Sequence, residues 1–232
     1  MRDNKSKIEA SNAKRLCLFD LDGTLIDPFN AITTGIQHGL RSVGVDVEDR
    51  RQLTQFIGPP IRDSLREYGN FTEDEIELIV SNYRAYFAEK GIYENTLYPG
   101  VVDMLKQLKD AGYTLSIATS KLESSAVAIL KYLEFGQYFD LVVGCEADGT
   151  RSHKSEVIKS VLDELDPNRQ YLPVMIGDRK YDIIGAREMG IDSIGVLWGY
   201  GSREELMAEA PGVIVGSVGE LREVLKDFSR GE

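Results

Sequence analysis

Two aspartates one residue apart, Asp20 and Asp22, follow directly on the apolar run Leu16-Cys17-Leu18-Phe19. A second acidic pair, Asp178 and Asp182, follows Val174-Met175-Ile176-Gly177. Between the pairs stand Thr119-Ser120-Lys121, after Leu115–Ala118, and Lys154. Each feature alone has a plain reading. An Asp after a strand forms turns, Thr119 caps a helix, and Lys154 is a solvated first-turn cation, although it opposes the helix dipole. Asp182 pairs with Lys180 or Arg187. Four such features at the ends of consecutive strands outweigh those readings, because open α/β sheets bind ligands at their carboxyl edge. Asp20, Asp22 and Asp178 would repel one another if they converged unpaired. A hard cation such as Mg²⁺ resolves this, since it takes oxygen ligands and leaves a position for a phosphate oxygen. One carboxylate can then attack phosphorus to give an acyl phosphate. A second, two residues on, can protonate the leaving oxygen and later deprotonate water. Lys154 would neutralise the phosphoryl oxygens, and the Thr119 hydroxyl and the N–H groups at the next helix start would hold them.

Positioning such groups requires a particular scaffold. Leu16–Phe19 lacks alternation and reads as a strand buried on both faces. Similar runs recur at Leu115–Ala118, Leu141–Val143, Val174–Ile176, Ile194–Leu197 and Val213–Val215. Helical patterns lie between most of them. Pro99 opens one helix and Gly112 closes it. Others cover Ser124–Leu133 and Lys154–Leu165, follow Asp178 as far as Gly190, and begin at the capping-box pattern Ser217-Val218-Gly219-Glu220. Strands alternating with helices predict a parallel sheet covered on both faces. From Pro28 to Asn95 no strand pattern appears. Phe29, Ile32, Ile36 and Leu40 have helical spacing, Gly58-Pro59-Pro60 breaks it, and a long helix follows a Thr72/Glu75 capping box. This stretch reads as a helical insertion that leaves the sheet after the first strand.

The 232 residues carry 27 basic and 38 acidic side chains, a net charge of −11. Such acidity argues against a nucleic-acid polymer as partner, but not against a small anion held by a few local cations. No apolar run approaches the roughly 20 residues of a membrane span. Residues 1–14 are polar, lack a signal-peptide core, and are expected to be a disordered tail. Cys17 and Cys145 read as buried free thiols, which together with the rest places the chain in the cytoplasm. No P-loop, HExxH, GxSxG or GxGxxG pattern is present.

Phe19-Asp20-Leu21-Asp22-Gly23-Thr24-Leu25 resembles the first motif, DxDGT, of the haloacid dehalogenase superfamily. Ser116-Ile117-Ala118-Thr119-Ser120-Lys121 resembles its second motif, Lys154 its third, and Ile176-Gly177-Asp178 with Asp182 its fourth, GDxxxD. The resemblance spans nearly the whole chain. It implies a Rossmann-like, doubly wound core (15–27 and 96–232) with a helical cap (28–95). It implies Asp20 as nucleophile and Asp22 as general acid/base. Thr119, Ser120, Lys154 and the backbone N–H groups of Gly23 and Thr24 would bind phosphate. Asp20, the carbonyl of Asp22, and Asp178 would hold Mg²⁺, with Asp182 in support or as a further metal-site acid. Lys154 is followed by Ser155 where the family pattern has proline, and Lys121 competes as the phosphate cation. Asp22 favours a phosphatase over a dehalogenase, and Thr24 favours one over a mutase. Capped members of this layout resemble phosphoglycolate phosphatases, and a 5′-nucleotidase-like subgroup shares Ile57-Gly58-Pro59-Pro60. Arg62, after that loop, is the expected contact for a second anionic group. Tyr83, Tyr86 and Phe87 read as cap core or as a stacking surface.

The resulting expectation is a Mg²⁺-dependent phosphomonoesterase acting on a small phosphorylated metabolite, either a nucleoside 5′-monophosphate or phosphoglycolate. A receiver-type phospho-acceptor module and a non-catalytic binding protein are the alternatives. The cap segment and Asp22 speak against the receiver. His38 and His153 are expected to stand apart from the chemistry, and Trp198-Gly199-Tyr200-Gly201 to form a turn with aromatics at the pocket rim.

Overall fold

The computed structural model describes residues 14–228. Strand β1 (Lys14–Phe19) is central in a six-stranded, all-parallel sheet. The other strands are β4 (Thr114–Leu122), β5 (Leu141–Cys145), β6 (Tyr171–Gly177), β7 (Asp192–Val196) and β8 (Val213–Val215). Their order is β5-β4-β1-β6-β7-β8. The chain winds outward from β1 to one side, then returns and winds to the other. The crevice at that reversal, beyond the carboxyl ends of β4, β1 and β6, is where doubly wound sheets place ligands.

Alternation along β1 shows why its run is wholly apolar. Cys17 and Phe19 enter one hydrophobic cluster, with Leu105 and Leu108 of α4 (Val101–Asp110) and Leu221 and Leu225 of α9 (Val218–Phe228). Leu16 and Leu18 enter another, with Val157, Ile158 and Val161 of α6 (Lys154–Leu165) and Ala186 of α7 (Lys180–Glu188). A strand buried on both faces has no polar side to expose. On the second face Gly185 of α7 packs so close to Lys154 that a Cβ would crowd its side chain.

Between β2 (Ile26–Asp27) and β3 (Thr96–Leu97) the chain is helical: α1 (Phe29–Arg41), α2 (Ile61–Tyr68) and α3 (Glu73–Glu89), with 3₁₀ turns at Arg50–Phe56 and Gly91–Glu94. The capping box expected at Thr72 and Glu75 opens α3. Ile32, Ile36 and Leu40 of α1 meet Ile76, Ile79 and Val80 of α3 in a core continuous with the sheet's. Helices α5 (Glu123–Tyr132) and α8 (Arg203–Ala208) complete the chain.

Several expectations need correcting. Lys14 belongs to β1 rather than to a tail; the rest of that tail lies outside the described residues. The antiparallel pair β2–β3 was not expected, because two-residue strands carry no periodic signal. Strand β4 does not stop at Ala118. A register irregularity between Ala118 and Leu122 carries it on to pair Leu122 with Cys145, so Thr119, Ser120 and Lys121 sit within its irregular end. Cys17 is buried, but Cys145 is only half-buried. Among the described residues no helix is long and apolar enough to cross a membrane.

Phe19 is fully buried in the central strand and its register leads straight into Asp20. Phe19→Ala should lower unfolding free energy in urea by about 3–5 kcal/mol. Met207→Ala, at a residue 60% exposed, should change it by less than about 0.5 kcal/mol.

Candidate active site

Adjacent parallel strands bring the two acidic motifs together. Asp20 N–H donates to Ile176 O at 2.9 Å, the last rung between β1 and β6. Asp178 follows β6, and Asp182 lies in the first turn of α7, where its carboxylate accepts the Arg179 N–H at 3.1 Å. One oxygen from each of Asp20, Asp178 and Asp182 lies within 4.8 Å of the others. All three are essentially buried, at 3%, 0% and 1% exposure.

One ammonium answers this cluster. Lys154 Nζ lies 2.9 Å from Asp20 Oδ1, from Asp182 Oδ1 and from Ala118 O. Burial opposes the charge on Lys154, but Asp182 and Asp20 outweigh it and hold the amine more basic than usual. Three carboxylates against one ammonium leave net negative charge in a low-dielectric site. Accordingly burial, reinforced by Asp182 and Asp20, pushes Asp178 up to about 8. Burial pushes Asp182 up to about 6 against the pull of Lys154.

These residues fit a divalent cation. The donors are hard carboxylate oxygens, and Asp20 Oδ1 and Asp182 Oδ1 accept no aligned hydrogen bond. The surroundings are shaped to the third acid. Gly23, at φ +81°, lies where any Cβ would overlap the Asp178 carboxylate. Gly199 and Gly201 approach Asp178 equally closely. Thr24 Oγ1 donates to Asp178 Oδ1 at 3.3 Å, and Tyr200 N–H donates to Oδ2 at 2.8 Å.

Of the expected ligands, Asp20 and Asp178 stand together, and Asp182 supplies the third clustered carboxylate. The Asp22 carboxylate instead pairs with Lys121, whose Nζ lies 2.6 Å from Oδ2 and 4.4 Å from the centre of the Phe87 ring on α3. Burial raises the Asp22 pKa against the pull of Lys121, and its Oδ1 accepts no hydrogen bond. The expectation that Gly23 and Thr24 present N–H groups to phosphate is corrected. Gly23 N–H donates to Ile26 O and Thr24 N–H to Leu21 O, so the turn consumes both. Their contribution is room and a hydroxyl for Asp178.

Above this acidic floor lies a cavity of about 540 Å³ between the sheet edge and the helical insertion. Asp20, Asp22, Thr119, Ser120 and Lys121 line it from the core, and Phe56, Arg62, Tyr83, Arg84 and Phe87 from the insertion. Lys121, not Lys154, is the lysine in its wall. Arg62 reaches the cavity but is engaged by Glu77 through both terminal guanidinium nitrogens. His153 and Cys145 also line the cavity, whereas His38 packs against Tyr86. Arg179 donates to Ile57 O beside Gly58 while its Nε holds Glu205 at 2.9 Å, which ties the Gly-Pro-Pro loop to the core.

Sequence reasoning put Trp198–Gly201 at a pocket rim; the structure makes it a brace for the acids. Trp198 Nε1 donates to Thr24 O at 3.0 Å, and Tyr200 OH donates to Asp27. The signal was the Gly-Tyr-Gly spacing after a strand, which marks close backbone approach.

The raised Asp178 pKa has a stability consequence. Its folded value of about 8 exceeds an unfolded value near ~3.9, so the folded state holds an extra proton between the two. The contribution of Asp178 to the stability of chelator-treated protein is full below the unfolded value and is lost as pH rises towards 8. Thermal melts in EDTA between pH 5 and 8 check this: Asp178→Asn should flatten the slope and melt higher than wild type at the alkaline end.

The haloacid dehalogenase-like hydrolase family matches residues 17–196. A 5′-nucleotidase of Pseudomonas aeruginosa is 39% identical over 209 residues, covering 90% of this chain and 94% of that protein. The tyrosine-protein kinase PtkA of Mycobacterium tuberculosis is 37% identical over 213 residues, covering 91% of this chain and 72% of the kinase. The crystal structure of a predicted phosphatase from Clostridium acetobutylicum has a TM-score of 0.88 and 39% identity, covering 93% of this chain and 100% of that one. The motifs, the sheet and the extent of the family match agree: the chain belongs to the haloacid dehalogenase-like hydrolase family.

Proposed function

We propose that this protein is a magnesium-dependent phosphomonoesterase that cleaves a small organic phosphate through an aspartyl-phosphate on Asp20. The observation that carries the reading is the placement of Asp20. Its carboxylate lines the cavity floor, is oriented by Lys154, and stands two residues from a second buried acid. The relatives named as a 5′-nucleotidase and a phosphatase support it.

An Asp20 oxygen bonds to phosphorus as the ester P–O bond breaks. Asp22, whose burial favours the protonated form, gives its proton to the departing oxygen. It then takes a proton from water, whose oxygen bonds to phosphorus as the P–O bond to Asp20 breaks, which frees phosphate and restores the Asp20 carboxylate. Thr119, Ser120 and Lys121, which line the cavity, would hold the phosphoryl oxygens. Asp20, Asp178 and Asp182 would hold Mg²⁺, with the Asp22 carbonyl as a further donor. That ion would neutralise charge on the transferring group. Lys154 keeps Asp20 and Asp182 apart and oriented. The helical segment 28–95 acts as a cap that excludes water from the core site.

Nucleoside 5′-monophosphates and phosphoglycolate are the two candidate substrates. The cavity volume and its Phe56, Tyr83 and Phe87 walls suit an organic group as large as a nucleoside.

Phosphate release from an ester panel including both candidates and p-nitrophenyl phosphate tests the proposal. Turnover should require Mg²⁺, vanish in EDTA, and be lost in Asp20→Asn. Asp22→Asn should slow turnover by about 10²–10⁴-fold and accumulate phosphorylated Asp20, detected by peptide mass spectrometry. No turnover of any ester with Mg²⁺ present would overturn the reading. A long-lived phosphoryl group on wild-type Asp20 would point instead to a receiver-type module.

A further inference from the structure

The cap wall carries three arginines, and they differ in the counter-charges beside them. Arg62 is neutralised by Glu77. Arg66 is neutralised by Asp63 at 3.1 Å and Glu73 at 3.0 Å. Arg84, on α3, has no carboxylate within ion-pairing distance among the described residues. Its hydrogen bond among the described residues is to a neutral group: Nη1 donates to Ala147 O, 3.0 Å away across the cap–core boundary. That bond takes one of the five guanidinium N–H groups and fixes the side chain while the others remain available. Arg84 is half-buried and faces the same cavity as Asp20. A guanidinium that faces a cavity without a counter-charge offers its free N–H groups to an anion's paired oxygens.

We propose that Arg84 is the receptor for a second anionic group on the substrate. This rests on the phosphomonoesterase reading and narrows it: the preferred ester carries a carboxylate or a further phosphate away from the phosphoryl group being cleaved. Arg84, rather than the neutralised Arg62, determines this specificity. A carboxylate and a phosphate offer the same paired oxygens to a guanidinium, and matched substrates separate them. Phosphoglycolate against 2-hydroxyethyl phosphate tests the carboxylate. A nucleoside 3′,5′-bisphosphate against its 5′-monophosphate tests the phosphate.

Kinetics should show wild type preferring the anion-bearing member of one pair in kcat/KM. Arg84→Ala should collapse that ratio by about 10–100-fold, the range of one charge-assisted hydrogen-bonding contact, with the loss in KM rather than kcat. Arg84→Lys should recover part of the ratio, which a merely structural role would not do. Calorimetric binding of the same pairs to the Asp20→Asn protein, with and without Arg84→Ala, gives the answer independently of turnover. Loss of turnover on all esters with the binding preference intact would remove the phosphatase reading and leave Arg84 as the anion receptor. Equal binding of both members of each pair, or a preference that survives Arg84→Ala, would overturn the proposal.

Discussion

Three buried carboxylates stand together against one ammonium, which pairs with two of them, and the architecture follows from that imbalance. Lys154 can lie between Asp20 and Asp182 only because α6 and α7 approach closely at Gly185. Asp178 can stand beside Asp20 only because β6 is hydrogen-bonded to β1 in register. Glycines crowd around Asp178 because any Cβ at 23, 199 or 201 would strike it. Such an arrangement costs stability in isolation, since buried like charges repel and each loses its hydration. A scaffold that keeps it nonetheless stores that cost at a functional site, where a cation and a phosphoryl group can use it.

The two sides of the cavity divide the work. The sheet edge supplies charge at fixed positions, carried on strand ends whose geometry the ladder enforces. The helical insertion supplies a wall of aromatic rings and arginines. Phe87 lies over Lys121, and Arg179 grips the Ile57 carbonyl. The wall is therefore tied to the chemistry at two points, one beside Asp22 and one beside Asp178. Relatives on the same scaffold bear names as different as a nucleotidase and a tyrosine kinase. A shared core with a different covering wall is a physical way to reach such a range.

Much of this is written locally in the chain. The buried strand followed by Asp20 and Asp22, the capping box at Thr72, and the acidic pair four residues apart at Asp178 and Asp182 all declare themselves through short-range pattern. The parallel sheet, though not the order of its strands, follows from the alternation of strands and helices. What is not legible depends on pairings distant in sequence. Thr24 serves Asp178 across 154 positions, and Trp198 serves Thr24 across 174. Spacing cannot say that Lys121 will take the Asp22 carboxylate, or that Asp182 will stand with Asp20 and Asp178. Arg62 stands out because it follows a conspicuous loop; only the fold shows that Glu77 has already claimed it and that Arg84 reaches the same cavity.

The most direct test is calorimetric titration of Mg²⁺ into chelator-stripped protein in buffers of different protonation enthalpy. One ion should bind per chain near neutral pH and expel protons from the buried acids, and Asp178→Ala should abolish the isotherm. Wild-type protein that takes up no divalent ion, or an isotherm indifferent to Asp178→Ala, would contradict the account at its root.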